Sequence, residues 1–182
     1  MSALASHAAL VVNFDQVGPD VVVSTFGSID LTGAPIPTPF NLSGAGVQAA
    51  AGDLVVSGSV FGESYFGFFT VVPGPLGPFG LTFASGEGGD ALAILSSSNE
   101  LVLPTGYVSN TNINASSVYF GHTFATIGLT PGTYVGTLTN GDTATINIGV
   151  VPEPSTYIAF GGFVGLSAFV CYRRGLSKSA AS

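Results

Sequence analysis

Apolar residues alternate with Gly, Ser, Thr and Asn through most of the chain, without the recurrence every three to four residues that marks a helix. Segments 10–14, 21–31, 54–61, 65–72, 91–95, 118–127, 133–139 and 143–150 are rich in Val, Ile, Thr, Phe and Tyr, and Gly, Pro, Asn or Asp separates most of them. Short runs of this kind at regular spacing predict an all-β fold over residues 9–150, an antiparallel β-sandwich of jelly-roll or Ig-like type. Inside that span only 46–51 offers a candidate helix.

Local motifs sharpen the expectation. Asn140-Gly141 lies between two alternating runs and predicts a hairpin, because both residues tolerate the positive φ that tight hairpin turns require. Upstream, Leu129-Thr130-Pro131-Gly132-Thr133-Tyr134 predicts either a tyrosine corner, with the Tyr134 hydroxyl bonded to upstream backbone, or an ordinary strand aromatic. The stretches at 20–24 (DVVVS) and 53–57 (DLVVS) are alike, but two short copies do not make a repeat array. Pro73, Pro75 and Pro78 crowd the segment 73–78 (PGPLGP), so an irregular loop is expected there. The polar stretch 109–117 (SNTNINASS) reads as a second loop.

The tail breaks the alternation. Val151-Pro152-Glu153-Pro154-Ser155 is a stiff polar segment, since each proline fixes φ and removes a backbone donor. It is followed by sixteen residues without a charge, 157–172 (YIAFGGFVGLSAFVCY), and then by Arg173-Arg174. As a helix this run rises ~24 Å, slightly short of a ~30 Å hydrocarbon core, with Tyr157 and Tyr172 placed to sit at the interfaces. The positive-inside bias places Arg173 and Arg174 on the cytoplasmic side as the membrane stop. Gly161 and Gly165 make a GxxxG pair, which in a glycine-rich run is a weak dimerisation signal.

Charge supports that organisation. All three basic residues lie beyond Tyr172, whereas the ten acidic residues all precede it. Such a polyanion lacks the cations that displace counterions from phosphates, so nucleic acid binding is excluded. The single cysteine, Cys171, falls within the apolar run, so residues 9–150 can hold neither a disulfide nor a cysteine-bound zinc.

Together, VPEPS, a short apolar helix and a terminal RR resemble the PEP-CTERM sorting signal of Gram-negative bacteria. The resemblance covers roughly the last thirty residues. It implies an exosortase as processing partner, with Pro152, Glu153 and Pro154 as the recognition residues. It further implies a helix that anchors transiently in the inner membrane and a mature protein on the cell surface or in an extracellular matrix, in association with exopolysaccharide and biofilm. In a bacterial chain the Asn41 and Asn114 glycosylation sequons carry little weight. Residues 1–8 resemble the cleavage region of a signal peptide, with Ala3-Leu4-Ala5 or Ser6-His7-Ala8 as the small-x-Ala site. They lack a basic n-region, and the expectation is a start codon further upstream.

Candidate chemistry in the exported part is sparse. His122 is its only interior histidine, and no Gly-x-Ser-x-Gly elbow accompanies it, so it reads as a strand or loop residue. Glu87-Gly88-Gly89-Asp90 could offer oxygens to Ca²⁺ but lacks the alternating acidic ligands of an EF-hand, and a turn with solvated charges is the plainer reading. Glu63 and Asp53 are the conceivable glycosidase pair, if their separation allows. Tyr65, Phe66, Phe68 and Phe69 form an aromatic cluster that could stack on a sugar or, as alternation suggests, contribute to the core. The expectation is a non-enzymatic domain without metal or cofactor. The alternatives are a glycan- or Ca²⁺-binding module and a secreted hydrolase.

Overall fold

The computed structural model describes residues 8–150 apart from Leu42, Ser59, Val60 and Phe79. The chain divides between Val150 and Val151, and every described strand and helix belongs to the first of the two units. The sorting residues Pro152, Glu153 and Pro154, the apolar run 157–172, the stop residues Arg173 and Arg174, and the leader-like 1–7 lie outside the described residues.

The described chain is almost wholly β. Its strands are β1 (Ala9–Val17), β2 (Asp20–Gly27), β3 (Thr38–Asn41), β4 (Gly46–Gln48), β5 (Asp53–Ser57), β6 (Phe61–Phe66) and β7 (Phe69–Val71). They continue with β8 (Leu81–Phe83), β9 (Gly86–Gly89), β10 (Leu92–Leu95), β11 (Glu100–Pro104), β12 (Ala115–Tyr119), β13 (Gly132–Leu138) and β14 (Thr143–Ile148). One helical turn, α1 (Phe124–Ile127), precedes β13. The strands form two seven-stranded sheets, ordered β7-β13-β14-β1-β2-β12-β9 (sheet A) and β3-β6-β11-β10-β5-β4-β8 (sheet B).

Alternation decides which side chains turn inward. Leu10, Val12 and Phe14 of β1, Val21 and Val23 of β2, and Ala144, Ile146 and Ile148 of β14 are buried on one sheet. Val47, Leu54, Val56, Ile94, Leu101 and Leu103 are buried on the other, and both sets belong to one continuous core. The look-alike segments 20–24 and 53–57 lie in β2 and β5, one in each sheet. Their resemblance is the shared demand of a central strand for buried second and fourth positions.

Pairing is antiparallel with one exception, a correction to the expected wholly antiparallel sandwich. β1 runs parallel to β14, from Ala9↔Thr143 to Phe14↔Ile148, so the first and last strands of the domain lie side by side. Parallel neighbours need a long connection, and here it is nearly the whole domain. The chain therefore joins sheet A at one end and leaves it at the other.

Several expected boundaries move for local reasons. The run 65–72 divides between the sheets: Gly67, at φ 74°, turns the chain after β6, and β7 then pairs with β13. The run 118–127 ends as a strand at Tyr119. Gly121 takes φ 68°, and Thr123 caps α1 by accepting from the Thr126 amide while Thr126 Oγ1 accepts from the Thr123 amide. The candidate helix 46–51 is strand β4 followed by a 3-10 turn, Ala49–Ala51. Glycine-rich 86–89 is not a turn but edge strand β9, paired with β12.

Other expectations match. The Asn140-Gly141 turn joins β13 to antiparallel β14, with Gly141 at φ 91°. The Tyr134 hydroxyl donates to the Thr130 carbonyl at 2.8 Å, which is the tyrosine corner. Residues 73–78 form no strand. Leu76 of that loop is fully buried, its amide donating to the Ala49 carbonyl (2.8 Å) and its carbonyl accepting from the Thr130 amide (2.8 Å).

Candidate functional site

The link between β3 and β4 is short for the distance it covers. β3 is the first strand of sheet B and β4 the sixth, five strand spacings away, or about 24 Å in a flat sheet. From Asn41 to Gly46 the chain can reach only about 18 Å. Sheet B must therefore curl, bringing its two margins toward each other over the face turned away from the core.

That outer face is a trough. Register places Ser64, Val102, Ala93, Val55, Gly46 and Phe83 in one row across β6, β11, β10, β5, β4 and β8. Ala91, Ala93 and Val102 are fully buried there, and Phe40, Val55 and Leu95 pack against them. The floor is built from small residues because it has no room for larger ones. A Cβ on Gly62 would meet Val102 Cγ1 at 2.6 Å, and one on Gly46 would meet the Thr82 carbonyl oxygen at 3.0 Å. Phe40 rises on one side, and Leu81 and Phe83 of edge strand β8 rise on the other, exposing 59% and 64% of their surface.

Between these walls lies a cavity of ≈ 330 Å³. A second, of ≈ 440 Å³, adjoins it at Phe40 and Asn41 on the β3–β6 margin, bounded by Phe61, Gly62, Glu63 and Thr105. Polar groups border the first: Asn41, Ser43 and Gln48 are exposed, and their side chains make no hydrogen bond with another described residue. The Asp53 carboxylate on the same border accepts from the Ser97 amide (2.9 Å) and hydroxyl (2.7 Å).

Of the residues singled out by sequence, Asp53 lines the first cavity and Glu63 the second, and the others fall elsewhere. Asp53 and Glu63 sit on β5 and β6, with β10 and β11 between them. Register also sets them on opposite faces of the sheet, Asp53 level with Leu95 on the outer face and Glu63 level with Leu103 on the core side, so they do not form a glycosidase pair across one cleft. His122 faces Thr126, its Nδ1 lying 3.4 Å from the threonine Oγ1, and among the described residues no Ser or Asp side chain bonds to the ring. Glu87 accepts from the Gly58 amide (3.0 Å) and Asp90 from the Asn114 amide (2.8 Å), so the two carboxylates serve different loops. Among the described residues no group of three His, Cys, Asp or Glu converges as metal ligands.

Of the aromatic cluster, Tyr65, Phe68 and Phe69 are buried, with the Tyr65 and Phe68 rings 6.1 Å apart, while Phe66 is exposed. Burial, reinforced by the neighbouring Glu63 carboxylate, pushes the Tyr65 phenol above its ordinary pKa. The trough walls were not visible in the sequence. Phe40 follows a proline and Phe83 ends a three-residue strand, so neither stands in a run long enough to read.

Among the described residues no helix is long and apolar enough to cross a membrane. No family model matches the chain, and neither the curated proteins nor the solved structures yield a match.

Proposed function

We propose that this chain is an exported, exosortase-processed protein of the cell surface or extracellular matrix, carrying a non-enzymatic β-sandwich ectodomain ahead of a C-terminal transmembrane helix. The carrying observation is the order of the tail: Pro152-Glu153-Pro154, sixteen uncharged residues, then Arg173-Arg174, with no basic residue before them. The fold reading is an antiparallel-dominated β-sandwich of jelly-roll or Ig-like type, supported by two seven-stranded sheets that share one core.

The non-enzymatic reading draws support from the scattering of the candidate catalytic groups. His122 has a threonine for its neighbour, and the candidate carboxylate pair is split by two strands. Mass spectrometry of the mature protein from its host tests the sorting reading. Loss of the segment beyond the Pro152-Glu153-Pro154 motif is expected, and an intact C-terminus ending at Ser182 would overturn it.

A further inference from the structure

We propose that the trough on the outer face of sheet B binds a chain of neutral sugars. This goes beyond the sorting reading and does not depend on it. The two cavities, ≈ 330 and ≈ 440 Å³, each lie in the range of small-ligand clefts and share Phe40 as their common wall. Phe83 and Phe40 thus line the first cavity and Phe40 and Phe61 the second, so the two adjoin at one ring. A linear ligand of several units fits such a path better than a single compact one.

The chemistry selects the class of ligand. Sugar rings present C–H faces with partial positive charge, which complement the negative face of a phenyl ring. Their edges carry hydroxyls, each both donor and acceptor, and the border of the trough offers matching groups. The amides of Asn41 and Gln48 and the hydroxyl of Ser43 are exposed and make no hydrogen bond with another described residue. Asp53 spends its carboxylate oxygens on Ser97, yet a carboxylate has about four acceptor positions, leaving room for a hydroxyl donor.

Charge narrows the class further. Residues 8–150 contain no Lys or Arg, and Asp53 borders the trough, so nothing there balances an anion. An acidic polysaccharide is disfavoured, and a neutral one is not. A purely apolar occupant, such as a lipid chain or a second copy of this face, would leave the border amides unused.

Isothermal titration of the full chain in phospholipid nanodiscs tests the proposal. The probes are the β-1,4-linked hexasaccharides of glucose, mannose and xylose, with a hexamer of galacturonate as the acidic comparison. Saturable binding of at least one neutral probe and none of the acidic one is expected. Phe83→Ala and Gln48→Ala should each weaken binding roughly tenfold or more. Phe120→Ala, which removes an exposed ring elsewhere, should change nothing. Gln48 is exposed and polar, so its variant keeps the test decisive if Phe83→Ala fails to fold. Failure of all three neutral probes overturns the proposal, as does binding indifferent to both trough variants. Sedimentation showing a dimer that Phe83→Ala dissociates, without sugar binding, would assign the face to self-association instead.

Discussion

Asp142 is 2% exposed, yet nothing in the hydrophobic pattern around its carboxylate marks it as buried. Its Oδ1 accepts from the Ala8 amide (2.9 Å) and its Oδ2 from the Asp30 amide (2.7 Å), while Asn140 Nδ2 donates to the Asp30 carbonyl (2.6 Å). One side chain in the β13–β14 turn thereby fixes both the approach to β1 and the loop after β2. Hydrogen bonds to charged groups contribute about 1.5–3 kcal/mol each, so Asp142→Ala should cost roughly 3 kcal/mol or more in urea denaturation. Tyr134→Phe, which loses one neutral bond at the corner, should cost only about 1 kcal/mol. Nearby, Asp30 Oδ1 accepts from the Ser109 hydroxyl (2.7 Å) and from the Thr32 amide and hydroxyl. The Ser109 bond first, then those from Thr32, hold the Asp30 pKa below its ordinary 3.8. A lowered native pKa means stabilisation that is present above the unfolded value and lost as pH falls through the native one. Ser109→Ala should raise the Asp30 pKa in an NMR carboxyl titration; an unchanged value would remove Ser109 as the leading cause.

At the scale of elements, what was legible depended on strand length and on glycine. β1, β2, β13 and β14 alternate over six to nine residues, so burial of every second side chain made them readable in advance. β3, β4, β8 and β9 have three or four residues each, and β9 is mostly glycine. Their strand character comes from a neighbour's hydrogen bonds rather than from their own pattern, and a single sequence does not display the neighbour. The trough was hidden for that reason, since its walls come from β3, β4 and β8, which only the curl of sheet B brings together. Glycine also set boundaries that alternation alone placed too late. β2 was expected to run to residue 31, but it stops at Gly27, at φ 100°, where a Cβ would lie 1.9 Å from the Ala9 carbonyl oxygen. Gly18, in the β1–β2 turn, has φ 61° but nothing within 4 Å of such a Cβ. Gly18→Ala should therefore cost only the left-handed backbone penalty, about 1–2 kcal/mol. Gly27→Ala adds a backbone clash at the start of β1 and should cost more than ~3 kcal/mol. Comparable melting curves for the two variants would show that β1 can give way at Ala9.

For the whole molecule, the polarity of the domain bears on the tail. Because β1 and β14 are parallel neighbours, the chain passes Ala9 at one end of sheet A and leaves Ile148 at the other. β14 is held on both sides, by β1 and by β13, and the Gly149 amide still donates to the Phe14 carbonyl at 2.9 Å. Backbone bonding to sheet A therefore extends to Gly149, three residues before Pro152. Each proline of the Pro152-Glu153-Pro154 motif fixes φ and lacks a backbone donor. A processing enzyme would meet a stiff segment that loses little entropy on binding, with Glu153 as its one charged group. Glu153→Ala should accordingly leave the melting curve of the domain within ~0.5 kcal/mol of wild type. In the host, the same variant should accumulate as the full-length, membrane-associated form, measured by fractionation and intact mass. Normal maturation of Glu153→Ala would count against recognition of the motif and make the apolar run a permanent anchor. A lowered melting temperature in the same variant would instead mean that the motif belongs to the fold.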